Sequence, residues 1–183
     1  MKKTFFAALA AMIAFTFAFT SCDKEVEPKP EPTKKELLTQ KNGWILAAAT
    51  SEPGYEMANG ERLKDLFKGY VREWEMDDVY FYDATGVFRV EPGAKLPPED
   101  EDGWRTATTI GMWKLLDNNT KLITKLPFFY DIDENYLYVM DTVTLLELTE
   151  NVLKYEFTFK LEEKKKGIKS DEVYTFTLTF HKK

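Results

Sequence analysis

Two stretches near the C-terminus constrain the geometry of everything before them. Leu153, Tyr155, Phe157, Phe159 and Leu161 alternate with Lys154, Glu156, Thr158 and Lys160. Tyr174, Phe176, Leu178 and Phe180 then alternate with Val173, Thr175, Thr177 and Thr179. A period of two sends successive side chains to opposite faces of a pleated strand. Here one face is large and aromatic and the other mostly polar, so each strand buries one side and wets the other, as antiparallel sheets permit. A chain ending on two such strands needs a sheet with one aromatic-rich buried face. Between them, Glu162 to Asp171 is a charged loop with Lys164, Lys165 and Lys166 at its crest.

The same period runs back to Asp78. Val79–Asp83 and Val87–Glu91 are short runs of β-formers joined by Ala84-Thr85-Gly86, a hairpin signature. Met112–Leu116 and Lys121–Leu126 flank Asp117-Asn118-Asn119-Thr120, a turn by composition. Tyr136–Leu148 reads as a strand whose phase slips: Val139, Val143 and Leu145 share one parity and Leu146 and Leu148 the other, as a β-bulge produces. Pro92–Thr109 is a long loop holding Pro97-Pro98 and the acidic run Glu99 to Asp102.

Nearer the start, Trp44–Ala49 is the first strand. Thr33-Lys34-Lys35-Glu36 ahead of Leu37-Leu38 fits a capping box and a brief helix. A second helix is expected over Asn59–Lys68, with Leu63, Leu66, Phe67 and Tyr70 at i, i+3, i+4 and i+7 and Gly69 at its stop. About eight strands joined mostly by hairpins give an all-β fold. The expected form is an eight-stranded antiparallel up-and-down barrel with one or two short helices, since closure removes the sheet edges. Such a barrel is just wide enough to be filled by side chains or to hold one small ligand.

The N-terminus carries an address. Met1-Lys2-Lys3 is basic, Thr4–Thr20 is apolar and uncharged, and Ser21-Cys22 precedes an abrupt change to Asp23-Lys24-Glu25. This is the layout of a secretory signal over residues 1–21. Cys22, the sole cysteine, stands where a bacterial lipobox places the thiol that receives lipid, with Phe19 where that motif most often has Leu; a simple secreted protein is the alternative. The apolar run is short for a membrane span, which needs ~20 residues. Residues 22–35 read as a tether, because Pro28, Pro30 and Pro32 alternate with charges and favour extended geometry. Residues 36–183 are long enough for one domain.

Losing Lys2 and Lys3 with the signal takes the formal charge from −6 to −8. An acidic chain lacks the excess of Lys and Arg that gives affinity for phosphates, so nucleic acid is excluded as a partner. With Cys22 acylated no thiol remains for a disulfide, a metal or a nucleophile, and the core alone must hold the domain.

Gly43-Trp44 opening the first strand, Glu75-Met76-Asp77-Asp78-Val79-Tyr80-Phe81, the turn Asp83–Gly86 and Gly111-Met112-Trp113 with Leu115 behind it follow one another in a telling order. In that order the chain resembles the lipocalin-like lipoproteins of Gram-negative bacteria from Leu37 to the C-terminus. Gly43 and Trp44 are adjacent where lipocalins insert one residue, so the resemblance implies a fold and no particular ligand. The acidic residues and Lys24 directly after Cys22 resemble lipoprotein export signals, so a lipid anchor in the outer membrane, on the periplasmic or cell-surface face, is expected, with no catalysis or cofactor. A small apolar or amphipathic ligand would lie against Trp44, Phe81, Trp113, Tyr155, Phe157, Tyr174 and Phe176. The alternative is a filled barrel acting as a protein-interaction or accessory module.

Other candidate chemistry is sparse. His181 is the only histidine, on the polar parity at the end of the last strand. With only Ser51 and Ser170 left as serines in the mature chain, no triad or zinc set is apparent. Asp131-Ile132-Asp133-Glu134-Asn135 begins like a calcium loop, but Tyr136 replaces the sixth-position Gly and Thr142 the twelfth-position Glu. It is expected to be an acidic turn, and Glu99–Asp102 and Lys164–Lys166 solvated loops.

Overall fold

The two alternating stretches form the middle of the sheet. In the computed structural model, which describes residues 30–57, 59–69, 71–95, 109–125, 140–160 and 173–183, Val152–Lys160 and Val173–Lys182 pair antiparallel from Val173 opposite Lys160 to His181 opposite Val152. Tyr174, Phe176, Leu178 and Phe180 face inward with Leu153, Tyr155 and Phe157, and all seven are buried.

The strands in chain order are β1 (Trp44–Glu56), β2 (Arg62–Asp65), β3 (Val79–Tyr82), β4 (Val87–Glu91), β5 (Thr109–Met112), β6 (Lys114–Leu116), β7 (Lys121–Lys125), β8 (Met140–Leu148), β9 (Val152–Lys160) and β10 (Val173–Lys182). Two short helices accompany them, α1 (Lys34–Leu38) and α2 (Leu66–Gly69). The hydrogen-bonded order is β5-β4-β3-β1-β10-β9-β8-β7-β6, with β2 attached to β1 alone. The terminal members of that order, β5 and β6, are consecutive in the chain and separated by Trp113 only. They are two halves of one bent strand, which gives one edge to β4 and the other to β7. The sheet is thereby a nearly closed antiparallel barrel. Taken as one bent strand, β5 and β6 bring the barrel wall to the expected eight, with β2 as a satellite.

Trp113 makes the bend. Its backbone N–H donates to the Gly86 carbonyl at 2.9 Å and its indole N–H to the Asp83 carbonyl at 2.9 Å. Both bonds draw the chain out of the ladder and onto the β3–β4 turn. That turn has its own bracing: Asp83 Oδ1 accepts from the Thr85 N–H, the Thr85 hydroxyl and the Val87 N–H, and Gly86 takes φ 94°, which suits glycine. The Thr85 hydroxyl bond, with the Val87 amide behind it, holds the Asp83 carboxyl below its ordinary range.

Antiparallel pairing gives the barrel two different rims. Turns 83–86, 117–120 and 149–151 close one, where α1 also sits: Lys34 Nζ donates to the Asn119 carbonyl at 3.0 Å. The other rim is where β4, β7 and β9 end and β5, β8 and β10 begin. The bulge in β8 lies where the phase slip predicts, between Leu145 and Glu147. The capping box at Thr33 and Glu36 is formed.

Three expectations are corrected. The helix over Asn59–Lys68 is instead a turn, the strand β2 and the single-turn α2. Asn59 Oδ1 accepts from the Glu61 N–H at 3.0 Å, Gly60 has φ 82°, and Met57 N–H reaches the Glu61 carbonyl, so Asn-Gly turns the chain back onto β1. The first strand does not stop at Ala49 but continues to Glu56. Met112–Leu116 is not one regular strand but is broken at Trp113. Tyr70, the Asp131–Asn135 turn, Glu99–Asp102, Lys164–Lys166 and Phe159's side chain lie outside the described residues.

The inward parity carries the stability. Phe157→Ala and Phe176→Ala should each cost ~3–5 kcal/mol through lost burial and a residual cavity. Thr158→Ala and Thr177→Ala, on the outward parity, should cost well under about 1 kcal/mol. Urea unfolding midpoints check this; equal losses on both parities would show the faces to be misassigned.

Candidate functional site

The barrel interior is built in three tiers. At the α1 rim, Leu38 and Trp44 are fully buried, and the Trp44 indole N–H donates to the Leu38 carbonyl at 3.0 Å. A helix leaves its last carbonyls without intrahelical partners, and the indole satisfies one of them. Gly43, at φ 71°, turns the chain from α1 into β1; a Cβ there would meet the Val79 and Phe81 side chains. Tyr80 and Phe180 complete this floor edge to face, with ring centroids 5.2 Å apart.

The middle tier holds the polar atoms. Tyr82, Thr124 and Tyr155 point inward from β3, β7 and β9, among Leu122, Val143 and Leu178. The Thr124 hydroxyl donates to the Tyr82 hydroxyl at 3.3 Å. The Tyr155 hydroxyl is buried with no hydrogen bond of acceptable geometry, although it lies close enough to Tyr82 for each to bias the other's ionisation. Burial pushes the Tyr82 phenol up to about 12, with the Thr124 bond easing the shift. Burial, with Tyr82 and Tyr80 nearby, pushes Tyr155 well above its ordinary value. Both are neutral donors at physiological pH.

The upper tier is aromatic. Phe157 stacks on Phe176 at 5.4 Å, and Tyr55 packs on Tyr174 at 5.4 Å and on Phe176 at 6.1 Å.

Of the seven residues expected to line a ligand cavity, Trp44, Tyr155, Phe157, Tyr174 and Phe176 converge on this interior. Trp113 is buried at the closure and meets Tyr82 edge to face at 5.9 Å. Phe81 does not join them. It has the opposite parity to Tyr80 and Tyr82, is half-buried, and carries the Arg89 guanidinium 4.2 Å over its ring. His181 is exposed, and Cys22 lies outside the described residues.

The interior side chains fit one another closely. Trp44, Tyr155, Tyr174, Phe176, Leu178 and Phe180 each have 0% accessible surface. A cavity wide enough for water would leave area on the groups lining it, so these side chains bound no such space. The middle-tier hydroxyls are the feature that strand parity alone does not reveal. Thr124 shares its parity with Leu122, so a hydroxyl on an apolar face was the signal available.

The tyrosines give a test in alkali. A phenol whose folded value exceeds its unfolded one holds its full contribution below pH 10.0 and loses it as pH rises toward about 12, because only the unfolded chain ionises freely in that window. Two units correspond to about 3 kcal/mol from Tyr82, and Tyr155 adds in the same direction. Tyr82→Phe should flatten this loss. Tyr155→Phe should change stability by less than about 1 kcal/mol at pH 7, since the hydroxyl it removes meets Tyr82 without forming a well-aligned hydrogen bond. Urea titrations at pH 7 and pH 11 measure both; a loss above about 2 kcal/mol for Tyr155→Phe at pH 7 would show a hydrogen bond there.

No protein-family model, curated protein or solved structure matches this chain.

Proposed function

We propose that this protein is a non-catalytic outer-membrane lipoprotein, anchored through Cys22, whose lipocalin-like barrel is a filled scaffold for binding another protein. The observation that supports this reading is the complete burial of Trp44, Tyr155, Tyr174, Phe176, Leu178 and Phe180 inside the barrel. On this reading the barrel binds through its outside. The rim of turns 83–86, 117–120 and 149–151 is short and tied down, and the chain enters there through α1. At the opposite rim the strand ends are joined by the longer connections of the sequence, and loops commonly carry binding residues. Val173, 49% exposed at the start of β10, stands on it.

A small amphipathic ligand is the second reading. The Tyr155 hydroxyl favours it, because a buried donor without a partner is costly and is often kept for function. A ligand with an acceptor group would satisfy that hydroxyl, at the expense of parting the aromatic tiers around it.

Cys22→Ser should move the protein from washed membranes to the soluble fraction; full retention in membranes would remove the anchor from this account. Photo-crosslinking residues placed at Lys95 and Val173 should capture a protein in intact cells, and those at Thr85 and Asn118 should not. Saturable one-to-one binding of an environment-sensitive apolar dye, blocked by Leu178→Trp, with no crosslinks at either rim, would put the ligand reading first.

A further inference from the structure

The wall of the barrel is incomplete on one side of β1. Along one edge β1 pairs with β10 from Trp44 to Glu52. Along the other it pairs with β3 only at Trp44 and Ile45. Past that point its neighbour is β2, which matches it at Thr50–Asp65, Tyr55–Leu63 and Glu56–Arg62 with a register shift between. β2 pairs with β1 alone. A four-residue ribbon with a broken register is a weak partner, since isolated two-stranded pairing is marginal in water.

What β2 presents to β1 is specific. On the outward face β1 carries Glu52, Gly54 and Glu56 in alternation. Lys64 Nζ lies 2.7 Å from Glu52 and Arg62 3.4 Å from Glu56. The stems of the two cations cross Gly54: a Cβ there would stand 3.2 Å from Lys64 Cγ and 3.4 Å from Arg62 Cβ. On the inward face Leu63 sits opposite Tyr55 and packs against the core. The β1 edge is therefore a template: two carboxylates flank a glycine notch on one face, and an apolar seat by Tyr55 lies on the other. Its complement is an extended segment reading basic–apolar–basic, as Arg62-Leu63-Lys64 does.

We propose that this edge docks an extended strand of a partner protein with a basic–apolar–basic pattern, and that β2 occupies the place until that strand displaces it. This rests on the interaction-module reading and names one of its surfaces. Strand addition supplies main-chain hydrogen bonds, while the alternate side chains supply selectivity. The ion pairs that hold β2 are exposed and contribute little, so a longer strand with the same pattern competes favourably. Leu66 and Val71, both buried, keep the following segment on the core when β2 leaves.

A fluorescent peptide of alternating lysine and valine, titrated against the full chain in detergent, tests this. It should bind saturably, whereas its alternating glutamate and valine counterpart should not. Arg62→Ser with Lys64→Ser weakens the resident strand and should tighten binding by roughly threefold. Glu52→Gln with Glu56→Gln, near-isosteric changes, should remove the charge preference, bringing the lysine–valine and glutamate–valine peptides within roughly twofold of each other while the urea midpoint stays put. Hydrogen exchange of the β2 amides should rise when the lysine–valine peptide is added. Absent binding, equal binding of both peptides, or indifference to either pair of substitutions overturns the proposal. Crosslinks at Lys95 and Val173 in cells would still stand in that event, so this surface can fail without the interaction reading failing.

Discussion

Closure of the sheet at Trp113 is the constraint on which the other features rest. Without it the nine-strand path would end in two raw edges at β5 and β6, each an invitation to pair with another chain. The chain instead places one residue outside the ladder. Trp113 gives its backbone N–H to Gly86 and its indole N–H to Asp83, so strand β5 stays with β4 while β6 departs toward β7. The tight Asp83–Gly86 turn is the anchor, and its carboxylate bracing makes it rigid enough to serve. Once the circuit is nearly closed, the inward parity of every strand faces the same axis. Aromatic side chains from β1, β3, β9 and β10 then have only one another to pack against.

Much of this architecture is legible in the chain, and the reasons are local. β9 and β10 announce themselves because a buried face and a wet face leave an unambiguous period of two. The β8 bulge shows for the same reason, since an extra residue at Leu146 flips the parity of the residues after it. The α1 cap depends on residues three apart. The misses have a different origin. Leu63, Leu66 and Phe67 satisfy a helical spacing, yet the first belongs to β2 and the others to α2. The periodic signal spans two elements, while Asn59-Gly60 marks the turn that precedes them. Pro53 looks like the end of a strand, but it falls in the register gap between Thr50 and Tyr55, where no β2 residue is matched to it. The break at Trp113 cannot be read locally at all, because its cause is a turn some thirty residues earlier.

The candidate site divides along the same line. Strand parity places Tyr155, Phe157, Tyr174 and Phe176 inside, and it cannot say whether they surround a space or fill one. That depends on how tiers from different strands interlock. Phe81 shows the limit more sharply: it is as aromatic as its neighbours, but its odd place in β3 turns it toward Arg89 and away from the axis.

A nearly closed barrel also narrows where backbone recognition can occur. Among the described residues, the upper half of β1 lies outside the circuit on its β3 side. There the wall needs a neighbour that β3 does not supply, because β3 parts from β1 after Ile45. The chain meets the need with β2, a short segment whose polar face is set by Glu52 and Glu56 and whose fit depends on the absent side chain of Gly54. Closure of the wall elsewhere thus concentrates backbone pairing capacity at one seam. Burial of the aromatic tiers keeps that seam in shape whether or not β2 is in place, since Tyr55 is held by Tyr174 and Phe176 from beneath. A rigid core and a replaceable edge strand are consequences of one arrangement of residues.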